Sequence, residues 1–305
     1  MNSSYTFGID GGGTRSRLAV VDEQGRRVFE ASGGMTNLYA GSAEEVARNL
    51  RQLLETASKT FPLHGGCIGS AGLGRTREKE IFMQMMQQIL PGVPLYLCSD
   101  GELLLVGGLA SLEGYALISG TGSLALSRAM DGTIQRSGGY GYLLGDEGSA
   151  YWIAHQALAR SLRSKEGRDL PSTMLPALLK ACSLGKSEDL IAYVHHTANK
   201  ADIANLAPLV TEFAIAKDPL ALAILKQAVQ ELIALLSAVQ NPEIRTNELV
   251  TAGGVLEHDP IIRPAFEQTL QTALPEVRII KARGTALDGA CLLSRSHVSG
   301  LQAAR

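Results

Sequence analysis

The stretch FGIDGGGTRSRLAVV, residues 7–21, places three consecutive glycines between two apolar runs. The residues after Gly13 alternate between apolar and polar, turn at Glu23-Gln24-Gly25 and alternate again, which is typical of paired β-strands. Because glycine has no Cβ, a glycine-rich backbone can approach an anion closely and point its N–H groups at it. The stretch therefore predicts a glycine hairpin with a phosphate group as candidate ligand. A tight turn without a ligand is the alternative.

Two other phosphate-binding loops do not fit this sequence. A P-loop requires G-x-x-x-x-G-K-[ST], and the triplet Gly185-Lys186-Ser187 has Lys180 in place of the first glycine. A dinucleotide-binding fingerprint has to continue into a helix, whereas a strand pattern follows Gly13. The glycine-rich opening is therefore interpreted as a hairpin between two strands.

The composition is that of an ordinary metabolic enzyme. At 305 residues and 45% hydrophobic, the chain is long enough for two lobes with a core each, and its formal net charge of -2 offers no basic surface for nucleic acid. The cysteines are too far apart in sequence to suggest a zinc site or a disulfide framework. The N-terminus lacks a secretion signal, and no apolar run approaches the roughly 20 residues of a membrane span. We therefore expect a cytoplasmic protein with a small-molecule partner and neither a membrane nor a nucleic acid.

Strand and helix patterns alternate in the first hundred residues. Strands are predicted at about Tyr5–Asp10, Arg17–Asp22 and Arg27–Ser32, and Ser42 with Glu45 forms a capping-box pattern at the start of a helix. The alternation continues beyond this helix, which predicts an α/β fold with a mixed sheet.

The opening motif is repeated later in the chain. I-D-G-G-G-T at Ile9–Thr14 is echoed by I-S-G-T-G-S at Ile118–Ser123, and both copies continue as strand, turn and strand and close on Ser-Gly-Gly. Such self-similarity suggests two lobes built on one plan, whose facing hairpins could hold a polyphosphate from both sides. We expect the lobes to comprise residues 1–113 and 114–305, with the last helix returning to the first lobe.

A helix-rich insertion is expected in the second lobe, between about Pro171 and Pro242. Within it, residues 218–240 have the pattern of a long amphipathic helix. The insertion would either cover the back of the second lobe or form the face of a homodimer, and the sequence leaves both open.

Several motifs occurring in one order resemble the N-acetylglucosamine kinases, in the group that also contains the BadF/BadG-type ATPases, within the sugar kinase, Hsp70 and actin superfamily. They are DGGGT at 10–14, LCSD at 97–100, GTGS at 120–123, GGYGYLLGDEGSAYWIA at 138–154 and LVTAGGV at 249–255. The resemblance implies two ribonuclease H-like lobes with the actin-like ATPase fold and a nucleotide and sugar cleft between them. It also implies an ATP-dependent, Mg2+-dependent kinase that phosphorylates the 6-hydroxyl of N-acetylglucosamine.

The resemblance assigns roles to individual residues. Asp100 matches the catalytic base, which would take the proton of the attacking sugar hydroxyl. Asp10 would hold the magnesium ion through water. The residues expected to bind ATP are, for the phosphates, Gly12, Gly13, Thr14, Thr121, Gly122 and Ser123, and for the adenosine, Gly253 and Gly254. The residues expected to bind the sugar are Asn37, Asp100, Ser123, Leu124, Gly139, Tyr140, Gly141 and Asp146.

Structural alternatives exist for these polar residues. Asp100 and Asp146 each precede a helix pattern and could be simple N-caps. Asp10 could be an ordinary turn residue, and Asn37 a loop residue with left-handed backbone.

Functional alternatives also remain. Glucosamine kinases share the hairpins and the aspartate, although GDEGSAYW, residues 145–152, is more similar to the N-acetylglucosamine members. A BadF-type ATPase activator would need a cysteine pair in each subunit for an iron–sulfur cluster, and Cys182 has no near neighbour in sequence. A sugar-sensing repressor of this fold would carry an N-terminal helix-turn-helix, whereas the first strand is expected by about Tyr5.

Overall fold

The computed structural model describes residues 4–303. The first of its sheets has the strand order β3-β2-β1-β4-β5. Its strands are β1 (Tyr5–Gly11), β2 (Arg15–Val21), β3 (Arg27–Gly34), β4 (Leu63–Ser70) and β5 (Leu95–Ser99). The first three strands pair antiparallel, whereas β4 runs parallel to both β1 and β5. The predicted mixed sheet and its opening hairpin are confirmed.

The second sheet repeats this plan with the order β10-β9-β6-β7-β8. Its strands are β6 (Gly114–Ser119), β7 (Ser123–Arg128), β8 (Ile134–Gly138), β9 (Glu248–Ala252) and β10 (Arg278–Ile280). Strands β6 to β8 again pair antiparallel, and β9 runs parallel to β6 and β10. The repeat read from the two glycine motifs is therefore a repeat of topology. The division into domains at residues 113 and 114 stays a prediction.

Three helices accompany the first sheet: α1 (Ala43–Thr60), α2 (Thr76–Ile89) and α3 (Asp100–Leu109). Ser42 caps α1 as predicted, because its side chain accepts a hydrogen bond of 3.2 Å from the backbone N–H of Glu45. Helices α1 and α2 bury their apolar residues against the strands in one core.

The remaining helices follow β8 or flank the last strands. They are α4 (Ala150–Lys165), α5 (Met174–Ala181), α6 (Asp189–Ala192), α7 (Lys200–Ala204), α8 (Ala207–Ile215), α9 (Pro219–Ser237), α10 (Gly254–His258), α11 (Ile262–Ala273) and α12 (Ala286–Ala303). A π-helical turn, Tyr193–Thr197, lies between α6 and α7. Most of these helices share one core with β6 and β7, so the helix-rich region covers one face of the second sheet.

Helix α9 is the one described helix that is long and apolar enough to cross a bilayer by length and composition. Its buried side chains, such as Ile224, Leu232 and Leu236, belong to the core of the second lobe. Core helices pass the same test, so packing accounts for its apolar character.

Helix α3 lies between the two sheets. Its apolar side chains share a core with Cys67 and Cys98 of the first sheet and with Ala116 and Leu126 of the second. Nearly every residue of α3 after the first is buried, which leaves this helix little freedom to shift.

A buried ion pair adds a polar contact between the lobes. Glu102 of α3 accepts hydrogen bonds from Nε of Arg128 in β7, at 3.0 Å, and from the hydroxyl of Tyr96 in β5, at 2.8 Å. Both members of the ion pair are more than nine-tenths buried. The two sheets are thus joined through one side chain of α3.

Helix α12 packs on the first sheet and crosses α3 at very short range. A Cβ atom at Gly289 would overlap the carbonyl oxygen of Leu103 and lie 2.7 Å from the backbone nitrogen of Gly107. The crossing therefore requires the absence of a side chain at Gly289.

We expect Gly289→Ala to lower the free energy of unfolding by about 1–3 kcal/mol, the usual cost of overpacking a core. Gly300→Ala is the matched control in the same helix, because no described atom lies within 4 Å of a Cβ there. The control should be neutral or stabilising by up to about 1 kcal/mol, since alanine has the higher helix propensity. Urea unfolding measures both, and equal stability of the two variants would contradict the proposed crossing geometry.

Candidate active site

The first glycine hairpin joins β1 to β2. The Gly12 N–H donates to the Arg15 carbonyl at 3.1 Å, and the Gly12 carbonyl accepts from the Thr36 N–H at 3.2 Å. Gly13 and Thr14 form an exposed tip. A Cβ at Gly13 would meet its nearest neighbour, the Cβ of Ala40, at an ordinary 3.8 Å. Packing within the protein does not require glycine at the tip, which favours a ligand as the reason for it.

The second glycine hairpin joins β6 to β7. Its turn is closed by a 3.0 Å hydrogen bond from the Gly120 N–H to the Gly122 carbonyl, and Thr121 is exposed at the tip. Ser123 is buried instead, and its hydroxyl donates to the Glu147 carbonyl at 2.7 Å. In this arrangement the hydroxyl of Ser123 serves the hairpin's own structure.

Asp100 is the first residue of α3, directly after β5. Ser99 is the N-cap, because its Oγ accepts the Glu102 N–H at 3.2 Å. The alternative that Asp100 caps this helix is therefore wrong. Its Oδ1 accepts the Gly101 N–H at 3.0 Å, and the positive end of the helix dipole favours a carboxylate at this position.

The pKa of Asp100 is raised above its ordinary value. Partial loss of hydration is the largest cause, and the negative charge of Asp10 adds to it, whereas the backbone N–H groups and Arg136 act in the opposite direction. The residue as a whole is nevertheless exposed to solvent. A raised pKa suits a carboxylate that has to accept a proton.

Asp10 lies near the end of β1 and pairs with Arg17 of β2 at 2.7 Å. The side chain is one-fifth exposed. Among the residues described, no group of three or more metal-ligating side chains occurs. Magnesium bound to nucleotide phosphates typically uses one or two carboxylates and keeps several waters, so Asp10 with the nearby Asp100 fits such an ion.

The expected sugar residues come from both lobes. Asn37 follows the first hairpin, where its Oδ1 accepts the Tyr39 N–H at 2.8 Å and its Nδ2 lies near Gly13. Gly139 and Gly141 both have positive φ and flank Tyr140, which is 66% exposed. The exposed ring is available as a platform for a sugar.

Leu124, another expected sugar residue, lies at the start of β7. Its side chain is half-buried, and one of its methyl groups would lie 3.2 Å from a Cβ at Gly101. Asp100 therefore lies next to the strand that follows the second hairpin. The sugar contacts themselves stay predictions.

Asp146 is buried and has a positive φ of 61°. Its Oδ2 accepts from Nζ of Lys200 at 2.7 Å, and its carboxylate lies beside Gly122. Helix α4 is capped by Ser149, whose Oγ accepts the Trp152 N–H, so the alternative that Asp146 is that cap is wrong. The contact of Asp146 with the sugar stays a prediction.

The turn between β9 and α10 approaches the second hairpin. Gly253 has a φ of 95°, and a Cβ there would overlap the carbonyl of Ser119. Gly254 faces open space. Glycine at position 253 is thus needed for the turn, and the adenosine contacts stay a prediction.

Three cations near these residues were missed by sequence reasoning. Arg17 could have been found, since the hairpin register places it opposite Asp10. Arg136 of β8 extends toward the first lobe, with its Nη1 at 3.2 Å from where a Cβ of Gly74 would lie. Lys200 is 54 residues from Asp146, and no local pattern signals the pair.

The comparison with family models gives one match, to the BadF/BadG/BcrA/BcrD ATPase family over residues 7–294. The chain belongs to this family. A Clostridium acetobutylicum relative, an N-acetylmuramic acid/N-acetylglucosamine kinase, is 32% identical over 96% of this chain and 99% of its own. A Dictyostelium discoideum N-acetyl-D-glucosamine kinase is 28% identical over 96% of this chain and 98% of its own.

Among solved structures, an N-acetylglucosamine kinase structure from Chromobacterium violaceum superposes with a TM-score of 0.69 at 27% identity. It covers 95% of this chain and 98% of that chain. The expected two-lobed, actin-like ATPase fold is thereby confirmed, and membership of an ATPase family implies the use of ATP.

We expect the two charges beside Asp100 to move its pKa in opposite directions. Asp10→Asn removes a like charge and should lower the pKa of Asp100, whereas Arg136→Gln removes an opposite charge and should raise it. Carboxyl-carbon NMR titration measures both shifts. Arg15→Gln, an exposed residue of β2, is the control. Shifts of the same sign in both variants would contradict the arrangement.

Proposed function

We propose that this protein is an ATP-dependent kinase that transfers a phosphoryl group to the 6-hydroxyl of N-acetylglucosamine. The observation that carries the proposal is that Asp100, a carboxylate with a raised pKa, interacts with charged groups of both lobes, Asp10 of β1 and Arg136 of β8. The two kinases at 32% and 28% identity over nearly the whole chain support the choice of amino sugar.

The reaction follows from the chemistry of phosphoryl transfer. Asp100 accepts the proton of the sugar hydroxyl as its oxygen approaches the γ-phosphate. The exposed tips at Gly13 and Thr121 bind the phosphates from the two lobes through backbone N–H groups. Magnesium held near Asp10 would neutralise phosphate charge. Positioning and charge stabilisation contribute more than the base in such reactions.

The substrate has two alternatives. Glucosamine would place a charged ammonium where N-acetylglucosamine has a neutral acetamide. N-Acetylmuramic acid is favoured by one specific observation: Arg136 uses Nε and Nη2 to hold the carbonyls of Gly138 and Gly139, and its guanidinium has no carboxylate partner in the described part of the chain. A lactyl carboxylate could pair with it.

Further features belong to the same proposal. We infer a cytoplasmic enzyme whose partner is a small amino sugar, without nucleic acid or membrane, and which forms a homodimer. We also infer a first domain of residues 1–113 and a second of residues 114–305 that contains the helix-rich insertion and whose last helix, α12, returns to the first domain.

A BadF-type ATPase activator is the less favoured class. An iron–sulfur cluster shared between subunits needs accessible cysteine thiolates. All four cysteines of this chain are buried, and Cys67 and Cys98 lie with their sulfurs 3.8 Å apart inside the core. No thiol is therefore presented for such a cluster.

We expect Asp100→Asn to reduce the rate of phosphorylation on the order of 10²- to 10⁴-fold, because the amide preserves the shape and removes the base. Calorimetry should show that N-acetylglucosamine still binds. Asp131→Asn is the control, since Asp131 is an exposed turn residue that accepts the Thr133 N–H. Turnover of Asp100→Asn within a few-fold of the parent would remove Asp100 from the mechanism.

A coupled ADP-release assay across N-acetylglucosamine, glucosamine, glucose, N-acetylmannosamine and N-acetylmuramic acid tests the substrate. If N-acetylmuramic acid is accepted, Arg136→Gln should lower its kcat/KM roughly tenfold to a hundredfold more than that of N-acetylglucosamine, the worth of a hydrogen bond to a charged group. The ratio of kcat/KM for the two substrates cancels any effect of the substitution on the pKa of Asp100, because both substrates use the same base. An unchanged ratio would contradict the role of Arg136, and no turnover of any amino sugar would contradict the function.

A further inference from the structure

The segment Asp146–Ala150 holds the second glycine hairpin through a series of contacts. The Ala150 N–H donates to the Gly120 carbonyl at 2.9 Å, and the Ser119 hydroxyl donates to the Gly148 carbonyl at 2.9 Å. The carboxylate of Asp146 reaches the tip itself, where its oxygens would lie 2.9–3.0 Å from a Cβ at Gly122. The position of the hairpin therefore depends on this segment, and on Asp146 in particular.

Lys200 in turn holds Asp146. Its Nζ lies 2.7 Å from Oδ2 of Asp146 and 5.9 Å from the centre of the Tyr142 ring, so the ammonium group lies near two residues of the loop that leads into α4. The Asp146 side chain is 4% exposed and that of Lys200 is 32% exposed. A buried carboxylate without this partner would be an uncompensated charge, which is strongly unfavourable.

The place of Lys200 in the fold is fixed locally. It is the first residue of α7, where Asn199 and Asp202 form a reciprocal capping box. Helix α7 packs on α4, the helix that begins just after the Asp146 segment. The preceding π-helical turn, Tyr193–Thr197, is of a kind that often occurs near functional sites. The helix-rich insertion thus contributes one cation, Lys200, to the surroundings of the second glycine hairpin.

We propose that Lys200 is a positioning residue for the nucleotide. By binding Asp146 it fixes the second glycine hairpin, and it neutralises the negative charge of that carboxylate beside the expected phosphate site. The proposal rests on the proposed function insofar as it assumes phosphates at this hairpin. Without Lys200, the negative charge of the Asp146 carboxylate, which lies beside Gly122, would repel the negative charge of a polyphosphate bound at this hairpin. Lys200 should therefore control the affinity for ATP.

The test compares Lys200→Met, Lys200→Arg and the double variant Lys200→Met/Asp146→Asn by calorimetry with Mg2+ and a non-hydrolysable ATP analogue. Lys180→Met, an exposed lysine of α5 in the same insertion, is the matched control. We expect Lys200→Met to weaken binding of the analogue at least about tenfold and Lys180→Met to weaken it by less than about threefold. Lys200→Arg should retain most of the affinity for the analogue.

The double variant separates positioning from simple loss of stability. Because Asp146→Asn removes the unpaired charge, the double variant should bind the analogue more tightly than Lys200→Met alone, whereas the same substitution in the parent should weaken binding. Parent-like affinity for the analogue in Lys200→Met, or no recovery of that affinity in the double variant, would overturn the inference. A parent that binds the analogue but phosphorylates no sugar would overturn the proposed function and leave the inference to stand on the binding data.

Discussion

The packing of α3 between the two sheets is the constraint on which the candidate site depends. Asp100 begins this helix, and the residues behind it are buried against strands of both lobes and against α12. The ion pair between Glu102 and Arg128 fixes the same helix by a polar contact that is costly to break because both charges are buried. A carboxylate at the exposed first turn of such a rigid helix keeps a defined position, which is what catalysis of phosphoryl transfer requires.

The repeated topology explains why two glycine hairpins border one cleft. Each sheet places its first hairpin at the same position in the strand order, so the tips at Gly13 and Thr121 are equivalent points of the two lobes. The supports of the two hairpins differ. The first is held by Thr36 beside the expected sugar residue Asn37, whereas the second is held by the segment that contains Asp146. The first hairpin is thus supported from within its own lobe, whereas the second is connected to the helix-rich insertion through Asp146 and Lys200.

Much of this fold could be predicted from the sequence, because its signals are local. The three glycines, the turn at Gly25 and the Ser42 cap predict the order of the first strands and the first helix, and their boundaries to within one or two residues. The second glycine motif predicts the repeated topology. The candidate site was predictable in its acids but not in its cations. Asp100 directly follows a recognisable strand, whereas Lys200 reaches Asp146 only through packing of α7 on α4, a contact without a periodic signal. The hydrogen bond from the Ser123 hydroxyl to the Glu147 carbonyl was likewise not predictable, because the two residues are 24 positions apart.

The central claim is that Asp100 activates a sugar hydroxyl in the cleft between the two hairpins. A crystal structure of the ternary complex with N-acetylglucosamine, Mg2+ and a non-hydrolysable ATP analogue tests it most directly. We expect the 6-hydroxyl oxygen within hydrogen-bond reach of the Asp100 carboxylate, about 2.6–3.2 Å, and in line with the terminal phosphate. A sugar whose 6-hydroxyl meets another group, or phosphates bound away from Gly13 and Thr121, would contradict it.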